Sequence, residues 1–340
     1  MSCPLDKLVI TKEMVEKVES TKIIWRKSLV KGHVNLWIAP SNGGKTLLAS
    51  LAASELSDIG YKVYYMQEDA AIIDLKEMQE QAEEHDFRLV SSVLGETSTD
   101  EILAGLKAWT NGLEDLSEYV IIFDTLKKFS DVMNKDRSKH FFKLMRTITV
   151  RGATVLLLGH VNKNLNAEGK FVYEGVGDNR NDVDELMYIL SMPSNDLKEI
   201  TFTITPDKVR SKVEKVSFRY DKDSREVKPL DNAIDLLTEL QIQQQLNKDA
   251  GLIANIRNEI MFGEQQVTTL VEKISQSMQI GSKKVRACIN RWGTNGLRPK
   301  NPLWHERHEP LNNKLFISSL DGPQKRGCPI FCVNGVKGHC

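Results

Sequence analysis

Between residues 34 and 231 the chain alternates short apolar runs with stretches whose apolar positions recur at helical spacing. The runs at 34–38, 62–66, 120–123, 154–158, 200–205 and 216–220 read as strands. Between the earlier ones, residues 47–59, 100–109 and 139–150 read as helices, and Gly60 stands where a helix C-terminal glycine belongs. Strand and helix in alternation predict an α/β domain, a mainly parallel sheet covered by helices. The last two strands follow each other closely, which predicts an antiparallel ending. In such sheets ligands bind beyond the carboxyl ends of the strands.

After Asp231 the pattern becomes helical. Residues 235–248, rich in Leu and Gln, predict a connecting helix, and 252–262, 267–278 and 283–292 three more. Two apolar stretches around Asn312 and Asn313 predict a β-hairpin over 303–308 and 315–319. Three helices and a hairpin suit a winged-helix domain. The expected organisation is the α/β domain over 1–232, a linker helix over 233–250, a small winged-helix domain over 251–320 and a flexible tail over 321–340.

Charge changes this picture locally. The 46 basic and 46 acidic residues cancel, so no global field advertises a nucleic-acid partner. No acidic residue occurs between Gly281 and His305, whereas Lys283, Lys284, Arg286 and Arg291 lie on or beside the third helix of the small domain. In a winged helix that element would enter the major groove. A merely solvated basic helix is the competing reading. Trp292 and Ile289 read as core. The N-terminus lacks an apolar signal core and no apolar run is long enough to span a membrane, so a cytoplasmic protein is expected. Cys3, Cys288, Cys328, Cys332 and Cys340 are too scattered for a disulfide framework. Cys328, Cys332, His339 and Cys340 are zinc-capable types, but the adjacent pair at the terminus is awkward for a tetrahedral site.

The chemistry concentrates at strand ends. After the first strand comes Ala39-Pro40-Ser41-Asn42-Gly43-Gly44-Lys45-Thr46, followed at once by a helix. Glycines let successive backbone N–H groups turn toward phosphate oxygens, and the helix adds its positive N-terminal end. Ser41 to Thr46 would cradle the nucleotide, with Lys45 on the β- and γ-phosphates and the Thr46 hydroxyl on Mg2+. The usual pattern opens with glycine, and Ala39 stands in that place.

Asp124 ends the apolar strand at 120–123, where a second acidic residue would hold the magnesium shell; an ordinary helix-capping aspartate is the alternative. Glu68 follows the strand at 62–66 and is the candidate to activate water, with Asp69 an immediate competitor. His160 follows the strand at 154–158 and is a candidate γ-phosphate sensor. Lys208 and Arg210 lie two apart between the last two strands, so in extended backbone they point the same way. They could stabilise transition-state charge on a nucleotide held by an adjacent subunit, or form a solvated basic turn.

Taken in order from Trp25 to Tyr220, these residues resemble RecA-like ATPases, specifically the hexameric replicative helicases of plasmids and phages of the plasmid RepA type. The resemblance implies a ring of subunits, with ATP and Mg2+ between neighbours and single-stranded DNA through the centre. By that likeness Glu68 activates water, His160 senses phosphate, and Lys208 and Arg210 reach across the interface. The polar segment 162–180, carrying Lys163 and Lys170 among glycines, would face the pore and hold phosphates without reading sequence. The expected function is an ATP-dependent DNA helicase serving replication of a mobile element. An ATP-switched DNA-binding regulator and a recombinase-like filament former are the alternatives.

Overall fold

The computed structural model describes residues 9–12, 21–95, 97–112, 115–130, 135–165, 171–173, 179–194, 197–310 and 313–321; for 135, 162–165, 171–173 and 179 it describes the backbone alone. The chain divides into two compact units, Met1–Leu237 and Thr238–Cys340.

In unit 1 a small antiparallel pair, β1 (Ile23–Trp25) and β2 (Leu29–Val30), precedes the main sheet. There follow β3 (Val34–Ala39), α1 (Lys45–Asp58), β4 (Lys62–Gln67), α2 (Ile72–Glu84), β5 (Arg88–Val90) and α3 (Thr99–Thr110). Next come β6 (Tyr119–Asp124), α4 (Leu126–Phe129), α5 (Lys135–Val150), β7 (Thr154–Leu165), β8 (Phe171–Tyr173) and α6 (Asn179–Asp182). The unit closes with β9 (Glu185–Pro193), β10 (Glu199–Lys208), β11 (Val216–Asp221) and β12 (Val227–Pro229).

The sheet order is β12-β11-β10-β9-β3-β7-β6-β4-β5. From β9 to β5 neighbours run parallel, and from β9 to β12 antiparallel. The predicted parallel sheet with an antiparallel end is therefore what the chain builds. Strand alternation sends Trp37, Ala39, Val120, Ile122, Leu156 and Leu158 to one face, where α1 and α2 add Leu48, Ala52, Leu56 and Met78. Leu36, Ile38, Ile121, Phe123, Val155 and Leu157 go to the other face, beneath Ile102, Leu106, Phe142 and Met145. Burial on both faces explains why these strands read as nearly continuous apolar runs.

Among the elements that the pattern did not predict, helix α2 and strand β9 are the longest. Helix α2 buries Leu75, Met78 and Ala82 at helical spacing. Strand β9 lies between β3 and β10 and joins the parallel half to the antiparallel half. Its Leu186-Met187-Tyr188-Ile189-Leu190 core mixes good helix formers with strand formers, so periodicity alone does not settle its state.

Unit 2 contains most of α7 (Leu236–Ile260), then β13 (Gln265–Gln266), α8 (Val267–Met278), α9 (Ser282–Trp292), β14 (His305–Glu309) and β15 (Lys314–Ser318). The predicted linker helix and the helix after it are one continuous helix running through Gly251, which corrects the expected break. A glycine in a helix interior costs only about 1 kcal/mol, and Leu252, Ile253, Ile256 and Ile260 continue the buried stripe beyond it. Strands β13, β15 and β14 form an antiparallel sheet. Val285, Cys288, Ile289 and Trp292 pack into the core from one face of α9. The tail positions 322–340, including the zinc-capable residues, lie outside the described residues.

Candidate functional site

The turn after β3 is built from backbone constraints. Asn42 and Gly44 both take positive φ, 60° and 85°, and the Gly43 amide donates to the Pro40 carbonyl at 2.9 Å. A Cβ on Gly44 would stand 2.3 Å from the Phe202 ring, so space as well as conformation demands glycine there. A Cβ on Gly43 would stand 2.8 Å from the Pro40 carbonyl oxygen and 2.9 Å from the Ala39 methyl. Ala39 itself is fully buried as the last residue of β3, and the turn forms with alanine in its opening place. Helix α1 starts at Lys45 with Gly44 as its N-cap, so its first amides open toward the turn.

Register brings the other candidates to this edge. Ala39 pairs with His160 across β3 and β7, and Gln67 pairs with Asp124 across β4 and β6. The Thr46 hydroxyl donates to Asp124 Oδ2 at 2.7 Å, and that oxygen also accepts from Tyr65 Oη at 2.9 Å and Gln67 Nε2 at 3.0 Å. Asp124 is thus 2% exposed and fixed from three sides. Burial and then the Asp124 charge push the Tyr65 phenol well above its ordinary value, so it serves as a neutral donor. The hydroxyl and carboxylate oxygens of Thr46 and Asp124 are hard donors, and they suit Mg2+ when phosphate oxygens supply further ligands. Among the described residues no group of three or more His, Cys, Asp or Glu could hold a metal unaided.

Lys45 is 7% exposed and its Nζ lies 3.3 Å from His160 Nδ1. An ammonium only donates, so Nδ1 accepts and the ring proton sits on Nε2. That Nε2 faces Asp69 Oδ2 at 4.0 Å, and Lys128 Nζ approaches Asp69 Oδ1 at 3.6 Å. Glu68 is 8% exposed and its amide donates to the Asp124 carbonyl at 2.7 Å. Its carboxylate accepts from the Ser92 amide at 2.6 Å and from the Ser92 hydroxyl. Ser92 follows the three-residue strand β5, and sequence reading gave no sign of it. Ser41, Asn42, Gly43, Gly44, Lys45, Thr46, Glu68, Asp124 and His160 therefore share one edge of the sheet.

Lys208 and Arg210 lie elsewhere. Lys208 pairs with Leu186 and Leu186 with Leu36, while the Arg210 amide donates to Glu185, the partner of Asn35. Arg210 is thus level with a residue four positions before Ala39, about 13 Å along the strand from the phosphate-binding turn. The pair is not simply solvated. Lys208 Nζ donates to the carbonyls of Arg180 at 2.7 Å and Val183 at 3.1 Å. Burial, with help from the Arg210 charge, lowers its ammonium below the usual value. Arg210 donates to Asp184 Oδ1 at 2.6 Å, although its side chain remains 58% exposed. Burial alone would raise the Asp184 carboxyl, but hydrogen bonds from Arg146 and the Val34 amide hold it below the ordinary range.

Lys170 and most of the predicted pore segment fall outside the described residues, as does the Lys163 side chain. The backbone of that segment includes an antiparallel pairing of β7 with β8, Val161 with Tyr173 and Leu165 with Phe171. In unit 2, Lys283, Lys284 and Arg286 are exposed on α9. Arg291 differs: it donates to Asp249, which also accepts from Trp292 Nε1 at 2.9 Å and Gln245 Nε2 at 3.0 Å. Arg291 therefore braces the unit internally, unlike its three exposed neighbours on α9.

No protein-family model matches the chain, and no curated protein matches it. Among solved structures, the ATPase domain of G40P is similar at 12% identity, covering 61% of this chain and 86% of that one with a TM-score of 0.43. The flagellar accessory protein FlaH from Methanocaldococcus jannaschii is similar at 14% identity, covering 58% of this chain and 90% of that one with a TM-score of 0.41. At such TM-scores the likeness decides nothing about activity, and the functional reading rests on the residues.

Proposed function

We propose that this protein is an ATP-hydrolysing motor on DNA, a RecA-like helicase whose nucleotide sites are completed by a neighbouring subunit in a ring. The observation that carries the reading is the Thr46 hydroxyl on Asp124 Oδ2 at 2.7 Å, directly behind the Gly43-Gly44 turn. A hydroxyl and a carboxylate placed together beside a buried lysine and a helix N-terminus suit a metal-bound triphosphate better than any other common ligand.

In this reading the amides around Gly43 and Gly44 and the Lys45 ammonium neutralise the β- and γ-phosphates. Thr46 and Asp124 would hold Mg2+, which when bound draws charge from the phosphate oxygens. Glu68, held by Ser92, orients the attacking water and takes its proton. His160 touches Lys45 on one side and faces Asp69 on the other, which suits a residue that registers whether the γ-phosphate is present. Lys208 and Arg210 cannot serve their own chain's turn, because they sit toward the opposite edge of the sheet. Their chemistry suits a phosphate presented by an adjacent subunit.

For DNA, we assign Lys163 and Lys170 to the strand being moved, and Lys283, Lys284 and Arg286 to duplex or backbone contact through a winged-helix unit. The helix, strand, two helices and hairpin of unit 2 follow the order such a unit needs. Replication of a plasmid, phage or similar element is the setting that the motif order favours.

The test is ATP hydrolysis with and without single-stranded DNA, repeated on Glu68→Gln, Arg210→Ala and their mixture. Stimulation by DNA and partial recovery on mixing the two inactive variants are expected. Hydrolysis with no unwinding of forked DNA favours an ATP-switched regulator. Absence of recovery on mixing removes the assignment of Arg210 to a shared site.

A further inference from the structure

On the face covered by α3, α4 and α5 the surface folds into a cleft of about 890 Å3 that shares no lining residue with the phosphate-binding turn. Lys107 from α3, Lys127 and Lys128 from α4, and Arg137, His140 and Lys143 from α5 line it. Among the described residues that line it, Asp100 is the one carboxylate, against five permanent cations. Helical spacing explains how α5 contributes: Arg137, His140 and Leu144 lie along the cleft side, while Phe142, Met145 and Ile148 turn into the core. His140 Nδ1 donates to the Asp136 carbonyl at 2.7 Å, which fixes the ring.

The local charge is out of balance in a chain whose 46 basic and 46 acidic residues cancel. Lys107, Lys127 and Lys143 are exposed and have no ion-pair partner among the described residues. Like charges around one concavity repel, and an anion bound there removes that cost. Phe129 and Phe141 line the cleft but are only 6% and 4% exposed, so almost no aromatic surface is offered for stacking bases. Lysines act on phosphate as point charges, and several spread over a nucleotide-sized cleft match several phosphates.

We propose that this cleft is a second anion site, separate from the phosphate-binding turn, for a ligand bearing several linked phosphates: the backbone of a nucleic-acid strand or a free polyphosphate. Recognition is of phosphate and not of base. Binding has a route to the first site. Lys128 belongs to the cleft and also approaches Asp69, which faces His160, which accepts from Lys45. A phosphate that draws Lys128 away leaves Asp69 to His160 alone. That last step rests on the ATPase reading, whereas the binding does not.

The experiment uses the full chain carrying Lys45→Ala, so that the phosphate-binding turn contributes little. Two probes are titrated: a fluorescein-labelled oligo-dT strand by anisotropy, and sodium tripolyphosphate by calorimetry. Lys107→Glu with Lys143→Glu is expected to weaken at least one probe by about tenfold or more, with a shallower salt dependence for the strand. Loss for the strand alone identifies nucleic acid as the source, and loss for both admits free polyphosphate. Affinities within about twofold of the parent for both probes overturn the proposal. Failure of the parent to bind either probe also overturns it. The milder Lys107→Gln with Lys143→Gln, checked for an unchanged melting temperature, separates charge from misfolding. If either pair of changes alters the sedimentation of the chain instead, the cleft is a contact between copies and the proposal falls.

Discussion

Ser92 engages both carboxylate oxygens of Glu68, giving its amide to Oε1 at 2.6 Å and its hydroxyl to Oε2. The contact joins two turns at the carboxyl edge of the sheet and sets the direction in which Glu68 presents its remaining lone pairs. Hydrogen bonds to a charged group are worth roughly 1.5–3 kcal/mol. Ser92→Ala keeps the amide and loses the hydroxyl, so kcat for ATP should fall about tenfold with KM little changed. Ser92→Thr should restore most of it. A rise in kcat for Ser92→Ala means that the contact restrains Glu68 instead of orienting it.

Gly44→Ala tests the turn. The positive φ of 85° costs a residue with a Cβ about 1–2 kcal/mol, and the overlap with the Phe202 ring adds to it. We expect a lower melting temperature and no measurable nucleotide binding. Adding Phe202→Leu should recover part of the stability, because it relieves the overlap, but not binding, because the backbone strain remains. Differential scanning fluorimetry with and without ATP reads both.

Ala39→Gly addresses the departure at the start of the loop. The Ala39 methyl is fully buried in the core beneath α1, and its loss costs about 1–2 kcal/mol through lost burial and added chain entropy. The turn already forms with alanine, so KM for ATP should stay within about threefold while the denaturation midpoint falls. A large gain in affinity would show that the methyl hinders the nucleotide.

Unit 2 carries a pH signature. Burial alone would raise the Asp249 carboxyl, but donors from Gln245, Trp292 and Arg291, with the Arg291 charge, hold it below its ordinary value. A carboxyl lowered by folding stabilises above its unfolded pKa of about 4, and that contribution is lost as pH falls through the lower folded value. Wild type should therefore lose stability below about pH 4 partly through this group. Asp249→Asn should lose about 2–4 kcal/mol at pH 7, because Arg291 is left without its counter-charge, and should show a flatter acid limb. Chemical denaturation of the full chain at pH 7 and pH 3.5, followed by tryptophan fluorescence, tests both.

The parallel sheet was legible because its central strands are buried on both faces and therefore apolar at nearly every position, as in Val120-Ile121-Ile122-Phe123. The places of Asp124 and Glu68 were legible for a related reason: polar residues at or just past the end of such a run mark the strand's carboxyl end; His160 reaches the same edge by pairing with Ala39, although β7 runs on to Leu165. Strand β9 was not, since Leu and Met serve helix as readily as strand, and its place beside β3 is a matter of long-range pairing. Ser92 was silent in the sequence, because its bond to Glu68 spans 24 positions and depends on how two turns meet. The spacing of Lys208 and Arg210 marked them as a pair, but nothing local disclosed Asp184 or the carbonyls before β9 as what holds them. The partner of Arg291 was hidden for the same reason, because Asp249 lies 42 positions earlier.

The separation of Arg210 from its own phosphate-binding turn carries a consequence for kinetics at low concentration. A chain with a donor at one end and an acceptor at the other is incomplete by itself, like a single link. If Arg210 acts as proposed, dilution should switch off hydrolysis even though every molecule stays folded and can still hold ATP. Turnover per molecule would then climb with protein concentration before levelling off, and the level part would mark where links have closed into assemblies.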